Sequence, residues 1–197
     1  MTAPIRDWRY DVELPDGGWV WLPGAGETVA GWAGEVCAAL QVGGAAAVAL
    51  ADHLRTFATR LREQAPDLGA LWLPDPTAGV LATLRIDRYK LSRSLEELAG
   101  DERGAAQRGL APPEVDLVAL PAGPALRVRR VARERRASHG DLLVESVRHL
   151  VAPPGVVDAD GDPTAVELLV AWTYLAEGDE FADMADSAAG LLAVTTG

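Results

Sequence analysis

Residues 164–195 do most to limit what this chain can fold into. From Thr164 to Tyr174 the side chains alternate. Val166, Leu168, Val170, Trp172 and Tyr174 fall on one face, and Glu167, Leu169, Ala171 and Thr173 on the other. A period of two sustained over this length predicts a strand with one buried face. After an acidic break the period changes. Between Asp179 and Thr195, residues Phe181, Met184, Ala185, Ala188, Leu191 and Leu192 recur at three- and four-residue spacing, which predicts an amphipathic helix. A strand that must bury a face, followed by a helix that must bury a stripe, predicts a sheet sealed by a closing helix.

The rest of the chain reads in the same terms. Tyr10–Leu14 and Trp19–Leu22 flank Pro15-Asp16-Gly17-Gly18, which predicts a hairpin. Trp19 and Trp21, one residue apart, then point to the same side. Two consecutive helices follow, near Glu27–Gln41 and Ala45–Gln64, separated by Gly43-Gly44 and stopped by Pro66. Strands are expected at Leu68–Leu73 and Gly79–Tyr89. Ser94 with Glu97 three residues on is a capping-box signal for a short helix to about Gln107. A meander completes the order, with strands at Val115–Leu120, Ala125–Arg136, Leu142–Ala152 and Thr164–Tyr174. The expectation is one α+β domain over residues 1–197, with an antiparallel sheet of six to eight strands and a mobile loop at residues 100–113.

Composition narrows the function classes. The 197 residues carry a formal net charge of −11, which disfavours both nucleic acid and anionic membrane surfaces. Lys90 is the only lysine, and the arginine, alanine, glycine and proline load is that of a GC-rich, actinobacterial type of genome. The single cysteine, Cys37, lies on the apolar side of its helix and reads as a buried thiol. Met1 to Trp8 lacks the apolar core of a signal peptide, and no apolar run is long enough to cross a membrane. A cytoplasmic protein is expected.

No segment specifies chemistry. Asp158, Asp160 and Asp162 have the spacing of a calcium loop, but Pro163 and Leu169 stand where an EF-hand needs glycine and glutamate. A solvated Asp-Gly turn accounts for the same residues. Gly24 and Gly26 precede a helix without the lysine and hydroxyl of a P-loop. His53, His139 and His149 are scattered, although His139 and Asp141 form a conceivable dyad in a turn. Arg127, Arg129, Arg133 and Arg135 share one strand face. They read either as cross-strand partners of acids, with Glu145 opposite Arg135, or as a contact surface for an acidic partner. The candidate protein interface is therefore Arg127, Arg129, Arg133 and Arg135, with Trp19 and Trp21 as aromatic anchors. No catalytic residue, metal ligand or cofactor is assigned.

The segment Tyr10-Asp-Val-Glu-Leu-Pro-Asp-Gly-Gly-Trp19 resembles the opening of MOG1/PsbP-like domains, and the strand-then-helix from Val166 to Leu192 is similar to their ending. The resemblance covers roughly fifty residues and implies a non-enzymatic, layered domain of the kind used by adaptors and chaperones, including those of secretion systems. The element order is also similar to the START/Bet v 1 grip, which would imply an apolar ligand cavity. The leading expectation is a non-catalytic module that binds a protein partner or a second copy of itself. The alternative is a small-molecule carrier or enzyme with a cavity between sheet and helices.

Overall fold

The computed structural model describes residues 4–15, 17–104, 110–136 and 140–196. In chain order the elements are β1 (Trp8–Val12), β2 (Trp19–Trp21), α1 (Val29–Ala39), α2 (Gly44–Glu63), β3 (Leu68–Trp72) and β4 (Ala82–Lys90). Then come α3 (Leu95–Gly104), β5 (Glu114–Leu120), β6 (Gly123–Arg136), β7 (Gly140–Val151), β8 (Thr164–Trp172), α4 (Gly178–Gly190) and β9 (Leu192–Thr196). The fold is α+β. Seven strands form an antiparallel sheet in the order β2-β3-β4-β8-β7-β6-β5, and β1 with β9 forms a two-stranded one. The chain divides into two compact units, one of residues Asp16–Arg85 and one of Met1–Pro15 with Ile86–Gly197, so the boundary falls within β4.

In the unit Asp16–Arg85, α1 and α2 pack on β2 and β3. The Thr28 side chain accepts from Gly31 N at 3.1 Å and caps α1, while Gly43 is the N-cap residue of α2. Trp32, Ala33 and Cys37 of α1 and Leu50, Leu54, Ala58 and Leu61 of α2 are buried against Leu71, Leu73 and Val80. Leu50, Leu54, Ala58 and Leu61 thus form the core stripe of α2, and the Cys37 thiol is buried. Gly18 sits at φ +103°, and a Cβ there would meet the Pro74 backbone at 2.6 Å. That close approach lets Leu73 N donate to Gly18 O at 2.6 Å and carries β2 onto β3.

The expected hairpin of Tyr10–Leu14 with Trp19–Leu22 does not form. β2 pairs with β3, Trp19 opposite Trp72, whereas β1 pairs with β9, Trp8 opposite Thr196. The helix expected to run to Thr195 is shorter, because α4 stops at Gly190 and Val194-Thr195-Thr196 favours a strand. Leu191 is therefore exposed while Leu192 is buried. β1 is fixed in its own unit by Trp8 Nε1 donating to Val157 O at 3.2 Å and by the Arg88 guanidinium 5.1 Å from the Trp8 ring.

In that same unit β5 to β8 form a meander whose faces are covered by different helices. Leu126, Val128 and Leu150 face α3, where Leu95 and Ala99 pack with them. The alternate residues face α4, where Trp172 stacks on Phe181 at 5.3 Å between ring centroids. Ser94 and Glu97 form the expected capping box, Glu97 N donating to Ser94 Oγ and Ser94 N to Glu97 Oε2. Of the loop expected at 100–113, residues 100–104 belong to α3 and 105–109 lie outside the described residues.

Candidate protein-binding surface

Strand β6 brings the arginines to two different settings. Its register with β7 sets Arg127 opposite His149, Arg129 opposite Val147, Val131 opposite Glu145 and Arg135 opposite Asp141. The expected pairing of Glu145 with Arg135 is thus off by four residues, because the strands continue pairing out to Arg136 and Gly140. Arg127 and Arg129 lie under α4. Arg129 Nε donates to Glu145 Oε1 and Arg129 Nη1 to Asp179 Oδ1, each at 2.7 Å. The second Glu145 oxygen accepts from Trp172 Nε1 at 3.2 Å. Arg127 Nε and His149 Nε2 both donate to Asp186 Oδ1, at 2.8 and 2.9 Å.

This polar cluster runs from the core to the surface, where the Asp179 side chain is 92% exposed. Glu145 and His149 are buried, and Gly178 at the start of α4 lies so close that a Cβ there would strike the Glu145 carboxylate. Burial is the largest influence on the Asp186 carboxyl and pushes it up. The hydrogen bonds from His149 and then Arg127 outweigh burial and hold it below the ordinary carboxylate range. The bond to Asp186 likewise raises the Arg127 guanidinium. Such pairs add little net stability but penalise any docking of α4 that leaves a charge unpaired. His149 is 1% exposed, so its ring is sealed from any solvent-borne substrate in this conformation. His139, half of the conceivable dyad, lies outside the described residues.

Periodicity could have exposed this cluster. Glu145, Val147, His149 and Val151 share one face of β7, and two polar residues on an otherwise apolar face ask for partners. Those partners are Arg129 and Trp172 for Glu145 and Asp186 for His149, and they come from β6, β8 and α4, so they could not be paired from spacing.

The other sequence-derived candidates are accessible. Arg133 and Arg135 lie near the tip of the β6–β7 hairpin with 59% and 93% side-chain exposure, beside Asp141 at 3.3 and 4.0 Å. Trp19 and Trp21 lie on β2, an edge of the sheet. Val20 between them packs into the core with Leu71, so the two indoles occupy the opposite face, together with Trp72 across the ladder. The Trp19 and Trp72 rings are 6.5 Å apart, Trp72 Nε1 donates to Gly17 O at 3.0 Å, and Trp21 is 39% exposed.

The acidic loop is an Asx-type turn. Asp158 Oδ1 accepts from Asp160 N and Asp162 N at 3.0 and 2.8 Å, and Lys90 is ion-paired with Asp162. An open groove of about 780 Å³ runs past Lys90, Leu91, Arg93, Leu95, Pro124 and Ala152. Its cations are already paired, Lys90 with Asp162 and Arg93 with Asp101.

No protein-family model and no curated protein matches this chain. A solved structure does. The fold is similar to that of LpqN, described as involved in cell envelope biogenesis of Mycobacterium tuberculosis, with a TM-score of 0.54, 13% identity, and coverage of 96% of this chain and 85% of LpqN. At that identity the likeness is one of fold. No helix among the described residues is long and apolar enough to cross a membrane.

Proposed function

We propose that this chain is a non-catalytic accessory module of the MOG1/PsbP-like kind, an adaptor or chaperone-like protein of a cytoplasmic or secretion-linked system. The observation that carries this reading is the tryptophan face of β2 and β3. Trp19, Trp21 and Trp72 stand together on the side of β2 and β3 turned away from their core. Large, stiff aromatic side chains held on a rigid ladder lose little entropy on binding and are the commonest interface anchors. The exposed Arg133 and Arg135 offer a second, charged contact. Arg127 and Arg129 hold α4 and are set aside as contact residues. The fold shared with LpqN, an envelope-biogenesis protein, is compatible with an accessory role.

The test is affinity capture by the tagged full chain in its native host, with mass-spectrometric identification, beside a Trp19→Ala/Trp21→Ala variant. A defined polypeptide held by the native chain and lost from the folded variant is the expected result. Equal capture by both would overturn the tryptophan surface. A bound small molecule of defined mass with no polypeptide would favour the carrier reading instead.

A further inference from the structure

Strand β5 is the other edge of the seven-stranded sheet, and among the described residues no strand lies beyond it. Its backbone polarity can be read from its neighbour. Pro124 of β6 turns its carbonyl toward β7, accepting from Ala152 N at 2.8 Å, and proline has no N–H to offer β5. Ala119, opposite Pro124, is therefore in a non-hydrogen-bonded pair and turns its own N–H and C=O outward. By alternation Leu117 and Val115 do the same. Arg103 of α3 confirms this by donating through Nη2 to Val115 O at 2.9 Å, from the outer side. Leu117 and Ala119 thus present two donors and two acceptors along an open edge.

The side chains flanking that edge differ by face. On the α3 side, Leu117 is 47% exposed beside buried Val115. On the α4 side, Glu114 and Asp116 are 62% and 61% exposed, and Arg127 reaches them only at 3.8 and 3.9 Å while bound more closely to Asp186. We propose that the β5 edge accepts an extended segment of a partner protein as an additional antiparallel strand. In that segment apolar side chains lie against Leu117 and basic ones against Glu114 and Asp116. Main-chain ladder bonds supply the affinity and the alternating faces supply the selection. The net charge of −11 favours a basic segment over a second copy of the same acidic chain. This edge is distinct from the tryptophan face, so replacing Trp21 leaves it intact.

The experiment uses the full chain with a synthetic peptide of about nine residues alternating lysine and valine, the length of one strand. Controls are its glutamate–valine counterpart and a peptide of the same composition with the lysines grouped together. Binding is followed by anisotropy, and amide hydrogen exchange is read residue by residue. The alternating basic peptide is expected to slow exchange at Leu117 and Ala119 and to bind at least roughly tenfold tighter than either control. Ala119→Pro removes an outward donor and Leu117→Pro an outward donor together with the apolar contact, so each is expected to stay folded and to weaken binding at least about tenfold. Should either proline variant unfold, Glu114→Lys with Asp116→Lys decides the matter by shifting preference to the glutamate–valine peptide. Three results overturn the proposal. One is absence of binding, and another is binding with unchanged exchange at Leu117 and Ala119. The third is protection of those amides by raising the protein concentration alone, which would assign the edge to a second copy.

Discussion

Gly178 opens α4 where the helix meets the buried Glu145 carboxylate, and a methyl group there would crowd both that carboxylate and Arg129 Nη2, the latter at 3.0 Å. The carboxylate cannot swing aside without losing Arg129 and Trp172 as donors. Gly178→Ala is therefore expected to cost about 1–3 kcal/mol, the usual penalty of overpacking a core. Urea unfolding should show a lower midpoint with an unchanged slope. An unshifted midpoint would mean that α4 does not seat as tightly as the geometry requires. Nothing in the sequence marks this glycine, because the atoms it avoids lie 33 and 49 residues away in the chain.

Element-scale features divide into local and long-range ones. The Ser94–Glu97 box at the start of α3 is local, and both of its reciprocal bonds are present. Ser94→Ala is expected to cost about 1 kcal/mol, as removing an N-cap hydroxyl generally does. A thermal melt of the variant beside the parent checks it, and an unchanged midpoint would show that α3 is held by its tertiary packing alone. The box was legible because its donors and acceptors are three residues apart. β8 was legible for a similar reason. Residues Val166, Leu168, Val170 and Trp172 do form one buried face, although Tyr174 lies beyond the strand and is exposed. β9 was not legible, since Leu192 fitted the stripe of the preceding helix and pairing with β1 separates the two.

For the molecule as a whole, stability and pH are linked through carboxylates that titrate low when folded. Asp186 is the half-buried case, with burial pushing it up and the bonds from His149 and Arg127 prevailing. Its folded value lies below the ordinary 3.8, so the folded state binds fewer protons than the unfolded state in that window. The stabilisation is thus complete above that pH and is lost as pH falls through the lower folded value. Melting temperatures between neutral pH and about pH 3 should decline on the acid side, and Asp186→Asn should flatten that decline. Equal slopes for the two proteins would show that Asp186 carries none of the effect. The chain by itself determined its helices, most strand segments, the capping box and the burial of Cys37, because each depends on side chains within a few residues. Long-range packing set β1 against β9 and placed Arg127 and Arg129 under α4 while Arg133 and Arg135 reach solvent. Periodicity says which residues share a face. Which strand or helix lies against that face is settled by ladder bonds and burial between segments distant in sequence.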